Sequence, residues 1–382
     1  DYNRRMGIRV SAQVGLLGLL TGCGIVSKSP CSYSIVFYSN MNTDLNMQAT
    51  PSSVYNLFTV NADGNGLTAL TQATQATTLA PMFLSKGGEI LFTSNFDLSG
   101  SMTAAPNISY NLWKMKIDGT GLTPLNSFNA VSSYAEYGYM SPDETRFAFH
   151  SRDIAIESCA NLYTAKIDGT DKQRLTTNTT AGLHSLYAGG DFWSPDGTKI
   201  LIMSKMALSG VADATAVAGY NLWIMNLDGS GKIALTRNTV AIDTASFTFA
   251  PKFTVDGQWI YFRTQSVISA ENGAWDGTAI GKNIWRVRLD GTGLQAITRS
   301  TNTSFSMLPG DFLANDVGMI AQGNLSLTGL DSDTPNSSSN IWAFSMDGAT
   351  RRAQTFNTST GLGVASVGRS PDKAYGLYRS YT

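Results

Sequence analysis

The stretch Phe192-Trp193-Ser194-Pro195-Asp196-Gly197-Thr198-Lys199-Ile200-Leu201-Ile202-Met203-Ser204, followed by Asn221-Leu222-Trp223-Ile224-Met225-Asn226-Leu227-Asp228-Gly229, decides the fold. Pro195 fixes φ and Gly197 tolerates the left-handed region, so the Pro-Asp-Gly turn joins a short strand to the longer apolar run Lys199 to Ser204. In the second piece Trp223, Met225 and Leu227 recur every two residues, the period of a β-strand. Asp228-Gly229 supplies the positive φ of a tight hairpin, and Lys232 to Thr236 returns as another strand. One unit is therefore four antiparallel strands in about 60 residues.

The same unit recurs along the chain. Copies of the second piece begin at Asn56, Asn111, Asn161, Asn221, Asn283 and Asn340, spaced by 55, 50, 60, 62 and 57 residues, and each runs through Leu or Ile and an aromatic residue to Asp-Gly. The turn of the first piece has weaker copies at Ser141-Pro142-Asp143, Val255-Asp256-Gly257, Asn315-Asp316 and Ser370-Pro371-Asp372. A helical period is sustained nowhere. Self-similarity at such a period signals a repeat fold, and six units close into an all-β, six-bladed β-propeller of four-stranded antiparallel blades over residues 32–382. Strand counting gives 25 against the 24 that six blades use. The strand Gly363 to Gly368 is expected to complete the opening blade, whose strand Ser34 to Ser39 lacks a leading partner, and Lys373 to Ser380 is left to cover an edge or to exchange with a neighbour.

Asn-[Leu/Ile]-[Trp/Phe/Tyr] running to Asp-Gly with a following Leu-Thr, alternating with Ser-Pro-Asp-Gly, resembles the WD40-like repeat of TolB-type β-propellers over nearly all of residues 32–382. The resemblance implies a propeller; the same blades serve in binding scaffolds, envelope assembly factors and peptidase-associated domains, so the fold leaves the function open.

At the N-terminus, Met6-Gly7-Ile8-Arg9 and the apolar run Val10 to Leu20 read as the charged and hydrophobic regions of a signal segment, too short to span a bilayer as a helix. The run ends in Leu20-Thr21-Gly22-Cys23, which resembles a bacterial lipobox. Residues 1–22 are accordingly expected to be a signal segment, Cys23 the lipidated residue and residues 23–31 a linker, placing the chain at the outer membrane on the periplasmic or cell-surface side. A competing reading is that residues 5–16 are a strand, because apolar residues from Met6 to Leu16 alternate with a period of two; such a segment, if retained, fills a sheet edge.

Composition narrows the partners. Twenty-seven Lys+Arg against 28 Asp+Glu, with no basic run longer than two, argue against nucleic acid. The linear signatures of a serine-hydrolase elbow, a zinc protease, a CxxC redox pair and a phosphate loop are missing, and the sequence implies no cofactor and no metal. Cys31 and Cys159 remain after Cys23 as a possible disulfide of an exported protein, although propeller topology puts them at opposite ends of a blade, which favours free thiols or a bridge between subunits.

Segments joining second and third strands are long, about 8 to 17 residues, while the hairpin turns are short. Insertions on one face of a repeat fold mark a binding face. These loops carry Asp44, Asp97, Asp153, Asp213, Asp276 and Asp331, with Met102 and Trp275 as apolar tips, and are read either as ligand or cation sites or as Asx turns that satisfy their own backbone. Asp191 and Asp311 recur as Gly-Asp-Phe on leading strands; with Glu136 they form an acidic channel mouth or hydrogen-bond to neighbouring strands. His150 and His184 fall near the same end. The function read from this is a non-catalytic envelope scaffold binding a protein or a glycan through the long-loop face. Two alternatives stand beside it: a self-assembling, filament-type homo-oligomer that exchanges a terminal strand, and a carbohydrate-active lyase or hydrolase in the channel mouth.

Overall fold

A computed structural model of the protein describes residues 15–19, 34–40, 54–61, 64–76, 78–84, 88–102, 104–127, 134–152, 160–177, 185–186, 191–206, 219–237, 249–268, 275–313, 316–358, 363–369 and 376–381. Among them there is no α-helix, and the strands form six four-stranded antiparallel sheets and one two-stranded sheet. In chain order the first sheet is β1 (Gly15–Leu19), β2 (Ser34–Ser39), β3 (Asn56–Asn61) and β4 (Thr68–Ala69); the second is β5 (Thr78–Leu84), β6 (Glu89–Ser94), β7 (Asn111–Lys116) and β8 (Thr123–Pro124). The third comprises β9 (Tyr134–Met140), β10 (Arg146–Arg152), β11 (Asn161–Lys166) and β12 (Gln173–Arg174), and the fourth β13 (Ser185–Leu186), β14 (Lys199–Ser204), β15 (Asn221–Asn226) and β16 (Ile233–Ala234). The fifth is β17 (Lys252–Phe253), β18 (Trp259–Ile268), β19 (Trp275–Arg288) and β20 (Gln295–Ala296); the sixth is β21 (Met307–Phe312), β22 (Met319–Gly323), β23 (Asn340–Phe344) and β24 (Arg351–Ala353). β25 (Gly363–Arg369) and β26 (Gly376–Tyr381) pair with each other. The chain divides into two compact units, Asp1–Gln173 and Arg174–Thr382.

The four-stranded unit read from the repeats is present, with one correction at its start. The leading position of the first sheet, expected to be filled by the strand from Gly363, is taken by β1: Gly15 pairs with Tyr38, Leu16 with Phe37 and Leu19 with Ile35. Residues at the end of the apolar run read as a signal region thus supply a strand, outside the alternation read over residues 5–16, and β25 pairs with β26.

Within each unit, the core lies between consecutive sheets. In the first unit Leu57 and Leu70 pack with Ile90, Trp113 and Met115; in the second Leu222 and Ile224 pack with Phe253, Ile260 and Val287, and Ile284 with Met307, Phe312 and Trp342. β15 is buried on both faces, which is why it reads as the nearly unbroken apolar run Leu222 to Met225. Trp113, Trp223 and Trp342 are fully buried, each stabilising by about 1.5 to 3 kcal/mol.

The repeat asparagine has a role that the strand period does not reveal. Asn56 Oδ1 accepts from Thr71 Oγ1 (2.9 Å) and Ala73 N (2.7 Å), while Thr71 Oγ1 accepts from Leu57 N (2.9 Å). Asn283 with Thr298 and Ser300, and Asn340 with Thr355 and Asn357, repeat the arrangement, and Asn221 with Thr236 repeats its side-chain half. In these four sheets the threonine after the hairpin therefore locks the outer strand to the start of the third, inside the protein, where losing either partner strands a polar group. At the opposite end the positive φ falls on the glycine of Asp-Gly (84° at Gly119), and the aspartate accepts from the residue two places on, as Asp118 does from Thr120 N (2.9 Å) and Oγ1 (2.6 Å).

Candidate functional site

In the second unit two leading strands, β17 and β21, and the segment just ahead of β14 meet at one lysine. Lys252 Nζ lies 3.1 Å from Asp191 Oδ1 and 3.2 Å from Asp311 Oδ1. Asp191 Oδ2 accepts from Phe253 N at 2.9 Å, and Asp191 N donates to Pro251 O. Burial works against the lysine's charge, but the two carboxylates outweigh it and hold the ammonium above its ordinary pKa. Lys252 and Asp311 occupy equivalent places, immediately before Phe253 and Phe312, which pair with Ile260 and Met319. Asp191 stands one place earlier relative to Trp193, the partner of Ile200, so the two Gly-Asp-Phe copies are offset by a residue. Composition and local motif find the two acids; the lysine between them is missed, because it comes from 61 residues beyond Asp191 and carries no motif.

Glu136 lies on β9 in the first unit, directly opposite His150 on β10. Asp153, Cys23, Cys31, Cys159, Asp44, Asp213 and His184 lie outside the described residues. Among the described residues no three His, Cys, Asp or Glu side chains are grouped to hold a metal ion.

Trp275 and Asp276, read as a loop tip, are in a strand. In four of the other sheets the second strand ends at the residue paired with the repeat asparagine (Ser39 with Asn56, Ser94 with Asn111, Ser204 with Asn221, Gly323 with Asn340), and β10 runs one residue further. In the fifth sheet pairing continues past Thr264 and Asn283, through two irregularities, to Ser266 with Ala279 and Ile268 with Trp275. The result is a two-stranded ribbon. Its base is fixed by Lys282 N donating to Phe305 O (2.8 Å) and by Gly281, where an added Cβ would meet Asn302 O at 2.5 Å.

Two described long loops follow one path. Asn95-Phe96-Asp97-Leu98-Ser99-Gly100 and Asn324-Leu325-Ser326-Leu327-Thr328-Gly329 place their glycines 11 residues before Asn111 and Asn340, and the sequence Leu208-Ser209-Gly210 stands 11 residues before Asn221. Phe96 and Leu325 are fully buried, both glycines have positive φ (82° and 78°), and each glycine N–H donates three residues back, to Asp97 O and Ser326 O. Asp97 Oδ1 accepts from Ser99 N (2.9 Å) and from the Ser99 hydroxyl, which hold its carboxyl below the ordinary range. Both loops then turn back along the outer strand instead of standing clear of it. Met102, read as an exposed tip, packs with Leu98 and Leu122 against the core, and Gln72 N approaches its sulfur at 3.3 Å.

In the sixth sheet Asp331 stands where Met102 stands in the second, and Arg351 where Leu122 stands. Arg351 binds Asp331 through both terminal nitrogens (2.7 and 3.1 Å) and also donates to Gly348 O, Gly329 O and Ile297 O, so all five N–H groups are used. Asp331 Oδ2 accepts from Arg299 N at 2.9 Å. Beside this pair opens a cleft of about 610 Å³, between the end of β20, the 328–331 segment and the Asp347-Gly348 turn. The [Leu]-[Ser/Thr]-[Gly] tripeptide at fixed distance from the repeat asparagine is the sequence signal that finds these loops; the strand period overlooks it.

No family model matches the chain, and no curated protein matches it. Among solved structures it is similar to a prolyl endopeptidase (TM-score 0.57, 9% identity, covering 96% of this chain and 46% of that one) and to dipeptidyl peptidase 4 of Porphyromonas gingivalis (0.54, 10%, 90% and 47%). It is also similar to TolB of Acinetobacter baumannii (0.42, 12%, 85% and 64%). The chain spans about half the length of these two peptidase structures. At such identities the likeness shows the fold alone, an all-β, propeller-like succession of antiparallel sheets.

Proposed function

We propose that the chain is a non-catalytic interaction scaffold, a six-bladed TolB-like propeller exported to the bacterial outer membrane and anchored through Cys23, that binds a protein or a glycan on the side carrying its long segments. One observation carries this reading: the fifth sheet extends as a ribbon beyond the point where its neighbours stop, with Ile268 opposite Trp275 near its end. Extra backbone pairing there adds nothing to a sheet already complete, and aromatic residues on extended segments are typical anchors of recognition.

The test replaces residues 266–281 with a two-residue Asn-Gly turn and compares both chains on a glycan array and against detergent-solubilised envelope proteins. The full chain retains a ligand that the shortened chain loses at unchanged melting temperature. Equal retention by both, or none by the full chain, overturns the reading.

The strand β1 supports a second reading, the self-assembling subunit. Gly15–Leu19 completes the first sheet through pairing that a neighbour's copy of the strand reproduces without new chemistry. Intact mass and native size of the protein from its natural membrane separate the two. A diacyl or triacyl adduct on a monomer beginning at Cys23 supports the anchored scaffold; multimers that retain residues 15–19 support assembly.

A further inference from the structure

The cleft beside Arg351 differs from the corresponding place in the second sheet in a way that structure alone does not require. There Met102 and Leu122 pack as apolar side chains against the core; here an ion pair with side chains only 16% exposed stands in their places, beside an open cleft. An apolar plug of similar volume is as stable as a buried pair, or more so, and the fold accepts one elsewhere. The polar exchange therefore points to recognition.

We infer that this cleft binds one or two rings of a neutral saccharide. Its charges balance: Arg299 and Arg351 face Asp331 and Asp347, which disfavours an anion or a cation and suits hydroxyl groups that both donate and accept. Donor and acceptor capacity is left over in the right form. The exposed Arg299 guanidinium has no partner among the described residues, and Asp331 Oδ1 accepts only from Arg351. Asp347, also on the lining, accepts from the Ser345 hydroxyl (2.6 Å) and Ala349 N (3.0 Å) through Oδ1, which leaves Oδ2 with acceptor capacity. Leu330, 57% exposed on the lining, offers an apolar surface to the C–H face of a sugar ring. The fivefold-anchored Arg351 keeps the Asp331 carboxylate in one plane before any ligand arrives, so little ordering is left to the moment of binding. A volume of about 610 Å³ lies within the ordinary range of small-molecule sites.

This inference rests on and deepens the glycan half of the scaffold reading, with a subsite whose residues are distinct from those of the ribbon. Its test presents the full chain with maltotriose, cellotriose, laminaritriose and tri-N-acetylchitotriose, and with a uronic-acid and an amino-sugar trisaccharide as charged counterparts, by ligand-observed NMR titration. At least one neutral trisaccharide binds, and the charged ones bind about fivefold or more weakly. The double variant Asp331→Met with Arg351→Leu, which installs the plug of the second sheet, weakens binding by about tenfold or more. Arg299→Ala, an exposed change outside the ion pair, weakens it about threefold or more and keeps the inference testable if the double variant folds poorly. Failure of all four neutral sugars to bind, or undiminished affinity in both variants, overturns it. Glycan capture that survives the double variant and disappears on shortening the ribbon overturns the cleft while the scaffold reading stands.

Discussion

The loops 95–110 and 324–339 share a path, a buried apolar anchor and a left-handed glycine, yet they end against their outer strands by opposite chemistry. Met102 and Leu122 pack as apolar side chains against the core; Asp331 and Arg351 meet as a bidentate pair beside an open cleft. The difference teaches that the repeat fixes the route of the chain and leaves its end point free to vary. At two equivalent positions the second sheet carries an apolar pair and the sixth a charged pair, and neither position belongs to the strand pattern.

The largest effect that can break this comparison is the loss of one partner in the sixth sheet. Arg351→Ala leaves the Asp331 carboxylate mostly buried without its counter-ion and strands three carbonyl groups, so urea unfolding should show a loss of about 3 kcal/mol. Asp331→Met with Arg351→Leu should fall within about 1 kcal/mol of the natural chain, or above it, because both charges leave together. Equal losses for the single and double variants would deny that the pair is exchangeable for an apolar plug.

The reverse transplant is next. Met102→Asp places a carboxylate against Leu98 and Leu122 and should cost about 2 kcal/mol, and adding Leu122→Arg should recover roughly half of it, measured as a double-mutant cycle. No recovery would show that the two loops differ in more than these two side chains.

A smaller contrast lies under the same loops. Trp113 Nε1 donates to Ser94 O at 3.1 Å, and Trp223 Nε1 to Ser204 O at 3.3 Å, whereas Trp342 Nε1 is buried without a hydrogen-bond partner. Trp113→Phe should therefore cost about 1 kcal/mol more than Trp342→Phe, since both remove the same volume and only one removes a hydrogen bond. Thermal unfolding of the two variants checks the difference.

The smallest effect concerns the hairpin turns, where the two sheets agree. The Thr120 hydroxyl and N–H hold Asp118 below the ordinary carboxylate range, and the Ser345 hydroxyl with Ala349 N does so for Asp347. A carboxylate lowered in the folded state contributes stability that is full above its unfolded pKa near ~3.9 and disappears as the pH falls through the lower folded value. Asp118→Asn and Asp347→Asn should each lower stability slightly at neutral pH and flatten its fall below about pH 4, so that variant and natural chain converge in acid. A flattening confined to one of the two would separate turns that now look alike.

What was legible in the sequence was what short-range physics writes. Asp-Gly announces a turn because only glycine takes φ near 84° at little cost, and Asn-Leu-Trp announces a strand because side chains alternate. Leu-Ser-Gly at 98–100 and Leu-Thr-Gly at 327–329 were equally local and readable, though they repeat too sparsely to stand out beside the hairpins. The Lys252 bridge, the ribbon ending at Trp275 and the Asp331–Arg351 pair were not, since each depends on a partner that the chain supplies from elsewhere.

The sequence by itself determined the unit: four antiparallel strands and their turns. These follow from backbone sterics and the period of two, which act between neighbours along the chain. Only the tertiary structure decided that Gly15–Leu19 leads the first sheet, that a lysine sits between Asp191 and Asp311, and that one loop packs an apolar side chain on the core where another pairs a carboxylate with an arginine beside a cleft. Those outcomes turn on whether charges and apolar atoms from distant segments are brought within a few ångströms, and burial sets their strength only once packing has chosen the partners.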